Sequence, residues 1–245
     1  MDEEFHKKLK YIRLGGLRSN WDQYLDIARK GNFSHTRLLN YIVEQEYTIK
    51  KENARKLRLR QAKIPEMLVM ETFPFQKQTN LNKKKVLSLY DSFDYMTKRQ
   101  NIIWIGQTGT GKTGLATAFL IQAIDRGYRG RFILFHELIH TLYKSVGDHS
   151  EEKVIKKFLD PDCLLIDEMG YVEIEPVQVG LLFTLLHKRH KRKTTLITSN
   201  LGFQEWSSFL MNKQLTAALI DRLTENSHVI NMKNCESLRP KLERT

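Results

Sequence analysis

The sequence predicts an α/β protein, with a parallel five-stranded sheet flanked by helices and a small all-helical domain in front of it. Three observations carry that prediction. Beyond residue 86, apolar runs of strand length alternate with longer helical patterns, as the βα units of a parallel sheet require. A glycine-rich stretch joins the first such run to the first helical pattern. Residues 1–63 lack strand signals and carry apolar positions at roughly helical spacing.

Taken in chain order, residues 1–63 form the first part. Leu38, Leu39, Ile42, Val43, Tyr47, Ile49 and Leu57 mark its helical periodicity, with breaks expected at Gly15-Gly16 and Gly31-Asn32. This part holds 15 basic and 8 acidic residues, so it is more basic per residue than the rest of a chain whose net charge is +12. Such an excess favours a polyanionic partner, nucleic acid or an acidic membrane surface. The stretch KKENARKLRLRQAK at 50–63 is either a solvated helix face or a contact surface for DNA phosphates.

A linker is expected over 64–85. Pro65, Pro74 and a polar tract argue against a continuous helix there. The second domain is expected over 86–245. Its strand-like runs are Ile102–Ile105, Phe132–Phe135, Leu164–Ile166, Thr195–Thr198 and His228–Asn231. Helical patterns at 111–126, 137–145, 151–159 and 176–191 lie between the first four. Ligands of such sheets bind at the carboxyl ends of the strands.

Two cysteines, Cys163 and Cys235, exclude a disulfide framework and a cysteine-based zinc finger. The charged N-terminus shows no secretory signal, and the apolar runs are too short to span a bilayer. A cytoplasmic protein with no membrane partner is the expectation.

Gly106-Gln107-Thr108-Gly109-Thr110-Gly111-Lys112-Thr113 fits G-x-x-x-x-G-K-[ST], the phosphate-binding loop. The glycines let successive N–H groups point at phosphate oxygens, and the next helix adds its dipole. Lys112 would neutralise the β- and γ-phosphates, and the Thr113 hydroxyl would ligate Mg²⁺. The strand-like run CLLIDE, residues 163–168, ends in two acids. Asp167 would hold the Mg²⁺ hydration shell, and Glu168 would orient and activate the attacking water. That pair argues for hydrolysis of ATP to ADP and phosphate.

His136-Glu137-Leu138-Ile139-His140 also fits H-E-x-x-H, the zinc-protease pattern. The preceding apolar run and the phosphate loop already explain the segment as the start of the second helix. No obvious third-ligand motif follows, although Glu151, Glu152 and Asp160 stay open. Trp21, Trp104 and Trp206 read as core or interface residues.

The runs GQTGTGKTGLA, CLLIDEMGY, TTLITSNLGFQEW and AALIDRLTENSHVINM occur here in order. On these the chain resembles the IstB-like family of AAA+ ATPases, helper proteins of two-gene insertion sequences, with the DnaC and DnaI helicase loaders as relatives. The resemblance covers nearly the whole chain. It implies a P-loop AAA+ core with a reduced lid, since the stretch after Arg222 is short. It implies that Asn200 is the first sensor, its amide near the γ-phosphate or the water beside Glu168. It implies that Arg222 is an arginine finger reaching a neighbouring subunit's ATP; alternatively Arg222 is a surface residue paired with Asp221 or Glu225. Arg239 resembles the second sensor, although Leu238 and Pro240 flank it where the family more often has Tyr before and no Pro after. Phe73 and Phe75 resemble linker residues packed near adenine, or else anchor the linker on the core.

The resemblance further implies a homo-oligomer on duplex DNA that recruits or activates a cognate transposase. In the related initiator branch an extra helix after the second strand faces DNA. Here that region is 137–159, with Lys144, Lys153, Lys156 and Lys157; the KRHKRK run at 188–193 is a second candidate. Either is otherwise a solvated helix end. A replicative helicase loader, and a DNA-architectural protein that binds ATP with negligible turnover, are the competing readings.

Overall fold

The computed structural model describes residues 2–239. The chain divides into two compact units, Met1–Leu57 and Arg58–Thr245.

The first unit is helical. It contains α1 (Glu3–Tyr11), α2 (Gly15–Ser19), α3 (Trp21–Lys30) and most of α4 (His35–Ala62). Leu9, Leu17 and Tyr24 form its small core, with Leu14, Trp21, Tyr41 and Ile42 packed around them. Asp2 caps α1 by accepting from the Phe5 N–H. The break expected at Gly15-Gly16 lies earlier. Arg13 takes a positive φ of 60°, and Gly15 already starts α2. The glycines serve packing instead: a Cβ on Gly16 would collide with Ile49 and crowd the Glu46 carboxylate, which accepts from the Leu17 N–H at 2.6 Å. Gly31 does end α3.

In the second unit two single 3₁₀ turns, Met70–Thr72 and Phe75–Lys77, replace any continuous helix before α5 (Lys83–Ser92) and α6 (Asp94–Thr97). Five strands follow: β1 (Asn101–Gly106), β2 (Gly130–Leu134), β3 (Cys163–Met169), β4 (Thr194–Ser199) and β5 (Ser227–Met232). Between them run α7 (Lys112–Asp125), α8 (Phe135–Gly147), α9 (Glu151–Leu159), α10 (Pro176–Arg189), α11 (Trp206–Phe209) and α12 (Lys213–Glu225). All five predicted strands are present. Phe135 alone leaves its predicted strand, to start α8.

The strands pair in parallel in the order β2-β3-β4-β1-β5. Alternate residues of a strand face opposite ways. Ile102 and Trp104 therefore enter one core with Leu115, Phe119 and Tyr95, and Ile103 and Ile105 enter another with Leu138, Leu182 and Leu219. Helices α5, α6 and α7 cover the first face; α8 to α12 cover the second. The central strands β1 and β4 are buried throughout, as double coverage demands. Trp104 and Trp206 lie in these cores. After β5 the described chain makes a turn and contains no helix through Arg239; Pro240 and the end of the expected reduced lid lie outside the described residues. No helix of the described residues is long and apolar enough to cross a membrane.

Candidate active site

The carboxyl end of β1 runs directly into the glycine-rich loop, and Lys112 begins α7. Gly111 carries a φ of +93° and is the residue before the helix. A side chain there is doubly opposed, because L residues avoid that φ and a Cβ would lie 2.7 Å from the Phe73 ring. The loop and the first residues of α7 line one cleft of about 740 Å³, within the range of small-molecule sites. Thr108, Gly109, Gly111, Lys112, Thr113, Glu168, Asn200 and Arg239 line it, together with Tyr171 and Thr198.

Lys112 is turned onto its own loop. Its ammonium donates to the Gly106 carbonyl at 2.7 Å and the Gln107 carbonyl at 2.8 Å. Burial holds it below the ordinary lysine range, against the opposing pull of Asp167 and Glu168. A phosphate offers that ammonium charge that neutral carbonyls lack.

Two consecutive acids of a regular strand would point to opposite faces of the sheet. A bulge resolves this. Ile166 pairs with Ile197, but Met169 pairs with Ser199, so β3 has one extra residue there. Glu168 takes a positive φ of 63°, a conformation that costs a non-glycine residue about 1–3 kcal/mol. Asp167 stays buried while Glu168 is exposed in the cleft. Thr198 locks both: its hydroxyl donates to Asp167 at 2.5 Å and accepts from the Glu168 N–H at 3.0 Å. Burial pushes the Asp167 carboxyl above the ordinary range, and the Thr198 and Thr113 hydroxyls work against it.

The Thr113 hydroxyl lies 3.0 and 3.1 Å from the two Asp167 oxygens. A hydroxyl and a buried carboxylate meeting at one point are hard oxygen donors of the kind Mg²⁺ takes beside phosphates. The residues present therefore fit that ion. Asn200 directly follows β4 at the cleft, and its Oδ1 is buried without a hydrogen-bond partner. A buried unpaired acceptor lacks a donor from a ligand or water.

The linker and the segment after β5 embrace the loop from outside. Gln78, 2% exposed, donates to the carbonyls of Thr110 and Glu236 and accepts from the Glu236 N–H. The Leu238 N–H donates to the Gly109 carbonyl at 2.8 Å. Phe73 contacts Gly111 and stacks edge-on with Phe75 at 4.8 Å. Both rings pack against the first core.

Several residues of interest lie elsewhere. Arg222, on α12, does not line this cleft. It donates to His187 Nδ1 at 2.9 Å and stands 4.9 Å over the Phe183 ring, and the pairing with Asp221 or Glu225 does not form. Glu225 engages His190 and Lys191 instead. Lys144, Lys153, Lys156 and Lys157 are exposed on α8 and α9. The KRHKRK run is divided between interior and surface, with Lys188 and Arg192 exposed. Arg189 is 1% exposed and spends its guanidinium on Phe158, Pro161, Thr194 and Thr195, while Lys193 pairs with Asp162. His136, Glu137 and His140 are exposed on α8, and among the described residues no three His, Cys, Asp or Glu side chains converge as a metal site.

Gln78, Tyr171 and Thr198 escape sequence reasoning. Tyr171 follows the acids by three residues, and its hydroxyl lies 2.8 Å from that of Thr108. Thr198 is two residues before Asn200, so strand alternation places it on the same face. Gln78 has no local signal.

A family model described as IstB-like ATP binding protein matches residues 7–245. The protein named for insertion sequence IS21 of Pseudomonas aeruginosa, an inferred ATP-binding protein, is 30% identical over 98% of this chain and 90% of its own. That named for insertion sequence IS5376 of Geobacillus stearothermophilus is 29% identical over 98% and 94%. Among solved structures, an AMPPCP-bound DnaA from Aquifex aeolicus has a TM-score of 0.57 at 17% identity, covering 72% of this chain and 52% of its own. DnaI has a TM-score of 0.55 at 20% identity, covering 62% and 85%. At such identities these two structures bear on the fold alone.

Proposed function

We propose, from the premise that this chain belongs to the IstB-like ATP-binding protein family, that it hydrolyses ATP as an oligomer on duplex DNA and serves as helper to a transposase. ATP binding and the insertion-sequence setting belong to the family; turnover, DNA and transposase are our reading. The convergence of Lys112, Thr113, Asp167, Glu168 and Asn200 on one cleft carries it.

In this reading the loop N–H groups and Lys112 bind the phosphates of ATP, with Lys112 exchanging its two carbonyls for phosphate oxygens. Thr113 and Asp167 would hold Mg²⁺, which when bound supplies charge that offsets the negative phosphates. Glu168, exposed and fixed by the bulge, accepts a proton from the water it orients. Asn200 holds that water or the terminal phosphate through its amide. Arg239 reaches the cleft from its own chain. The position of Arg222 outside its own cleft supports a role on the ATP of a neighbouring subunit.

The reading is tested by steady-state phosphate release with and without duplex DNA. Glu168→Gln should lower turnover by at least about 10²-fold while leaving binding of an ATP analogue intact. Unchanged turnover would refute the role of Glu168. The insertion-sequence relatives favour transposition over helicase loading, and capture of a purified transposase by the full chain tests that preference.

A further inference from the structure

The opposite end of the sheet, where the strands begin, carries a different cavity. Arg58, Arg129, Arg131 and Lys157 line it, with Gln61 and Asp160. Four cations and one acid converge there from α4, from the start of β2 and from α9. The volume is about 180 Å³, room for a phosphate and part of its sugar rather than for a nucleoside triphosphate. The lining offers no aromatic ring for a base.

We infer that this cavity binds a backbone phosphate of nucleic acid, as a second anion site at the end of the sheet away from the nucleotide loop. The inference deepens the duplex-DNA reading and rests on it. Its groups are only partly occupied by the fold. Arg58 Nε donates to the Ile124 carbonyl and Arg131 to the Gln61 carbonyl, both at 3.3 Å, but Arg131 Nε is buried without a partner. Partial desolvation, although the side chain is largely exposed, and the like charges of Arg131 and Lys63 hold the Lys157 ammonium below its ordinary range. Burial does the same to the Arg131 guanidinium. An anion in the cavity would relieve both. No helix begins there, so the attraction must come from side chains, which suits an extended polyanion read by charge.

A neighbouring cavity extends the feature. It is lined by Arg99, Arg192 and Lys193, with Asp162 among them. Asp162 joins the two, pairing with Arg129 at 3.6 Å and with Lys193. Two adjacent cavities with basic linings suit an extended polyanion.

The test measures binding of a fluorescent random-sequence duplex to the full chain, by anisotropy across a salt series. Arg58→Gln/Lys157→Gln should weaken binding about 10-fold and reduce the slope of log K against log salt by about 1–2. Affinity for an ATP analogue should not move. Asp160→Asn, which leaves the cations in place, should tighten duplex binding. Unchanged affinity and slope in the double variant, with the wild type binding, would overturn this site alone. A wild type that binds no duplex would overturn the duplex-DNA reading as well. Calorimetry with inorganic phosphate, the loop saturated with ATP analogue, separates a free-phosphate site. Submillimolar binding lost in the double variant, with duplex binding unchanged, would also overturn the inference.

Discussion

The side-chain amide of Gln78 donates to the carbonyl of Thr110 at 3.0 Å, so a linker residue holds the phosphate loop from 32 positions away. The same amide binds Glu236 on the segment that delivers Leu238 and Arg239. Loop, linker and tail are therefore one hydrogen-bonded unit around a single side chain. Gln78→Ala leaves buried partners unpaired, which costs about 1–3 kcal/mol. Thermal unfolding should show a lower midpoint, and calorimetry a several-fold weaker ATP analogue. An unchanged nucleotide affinity would confine Gln78 to stability.

Arg189 illustrates a basic residue that serves the fold. Its guanidinium closes the end of α9 and the start of β4 by donating to three carbonyls and one hydroxyl. Burial pushes it down to about 10. Arg189→Ala would strand those acceptors and open a void, and a loss of roughly 3–5 kcal/mol follows. Denaturant titration checks this. Arg192→Ala, one turn on and exposed, should change stability by less than about 0.5 kcal/mol.

Asp162 sets an acid limb. Burial works to raise its carboxyl, but the Lys193 hydrogen bond, the Arg129 N–H and the charges of Lys193 and Arg129 outweigh it, and the net shift is downward from 3.8. A carboxylate depressed in the folded state stabilises above its unfolded value and loses that contribution as pH falls through the folded one. Stability should therefore decline as pH drops below about 3.8. Asp162→Asn should flatten that part of the stability curve while lowering stability at neutral pH. Unfolding midpoints measured across the acid range decide it.

Mixing experiments address Arg222. If it serves a neighbour's ATP, Arg222→Ala and Lys112→Ala chains should each be inactive alone. Mixed, they would form some interfaces with an intact Lys112 on one side and an intact Arg222 on the other. Phosphate release should reappear on mixing, at a fraction of the wild-type rate. No recovery, with co-assembly demonstrated by sedimentation, would rule out a role for Arg222 on a neighbour's ATP.

Much of this protein is legible in the sequence because its signals are local. A parallel sheet covered on both faces must read as short apolar runs, and β1 to β5 stand where those runs occur. Gly109 and Gly111 announce a backbone that only glycine adopts easily, with φ of +85° and +93°, and Lys112 and Thr113 follow in fixed register. What the sequence by itself determined was the strand order along the chain, the loop and the acids that follow it. Tertiary structure decided which acid faces the cleft, because a bulge against β4 turns Glu168 out and leaves Asp167 buried. It also decided that Gln78 grips Thr110, that Arg189 belongs to the interior, and that Arg58, Arg131 and Lys157 share a cavity. Those facts join residues tens of positions apart, and burial and charge at such distances follow from packing, which periodicity along one chain does not encode.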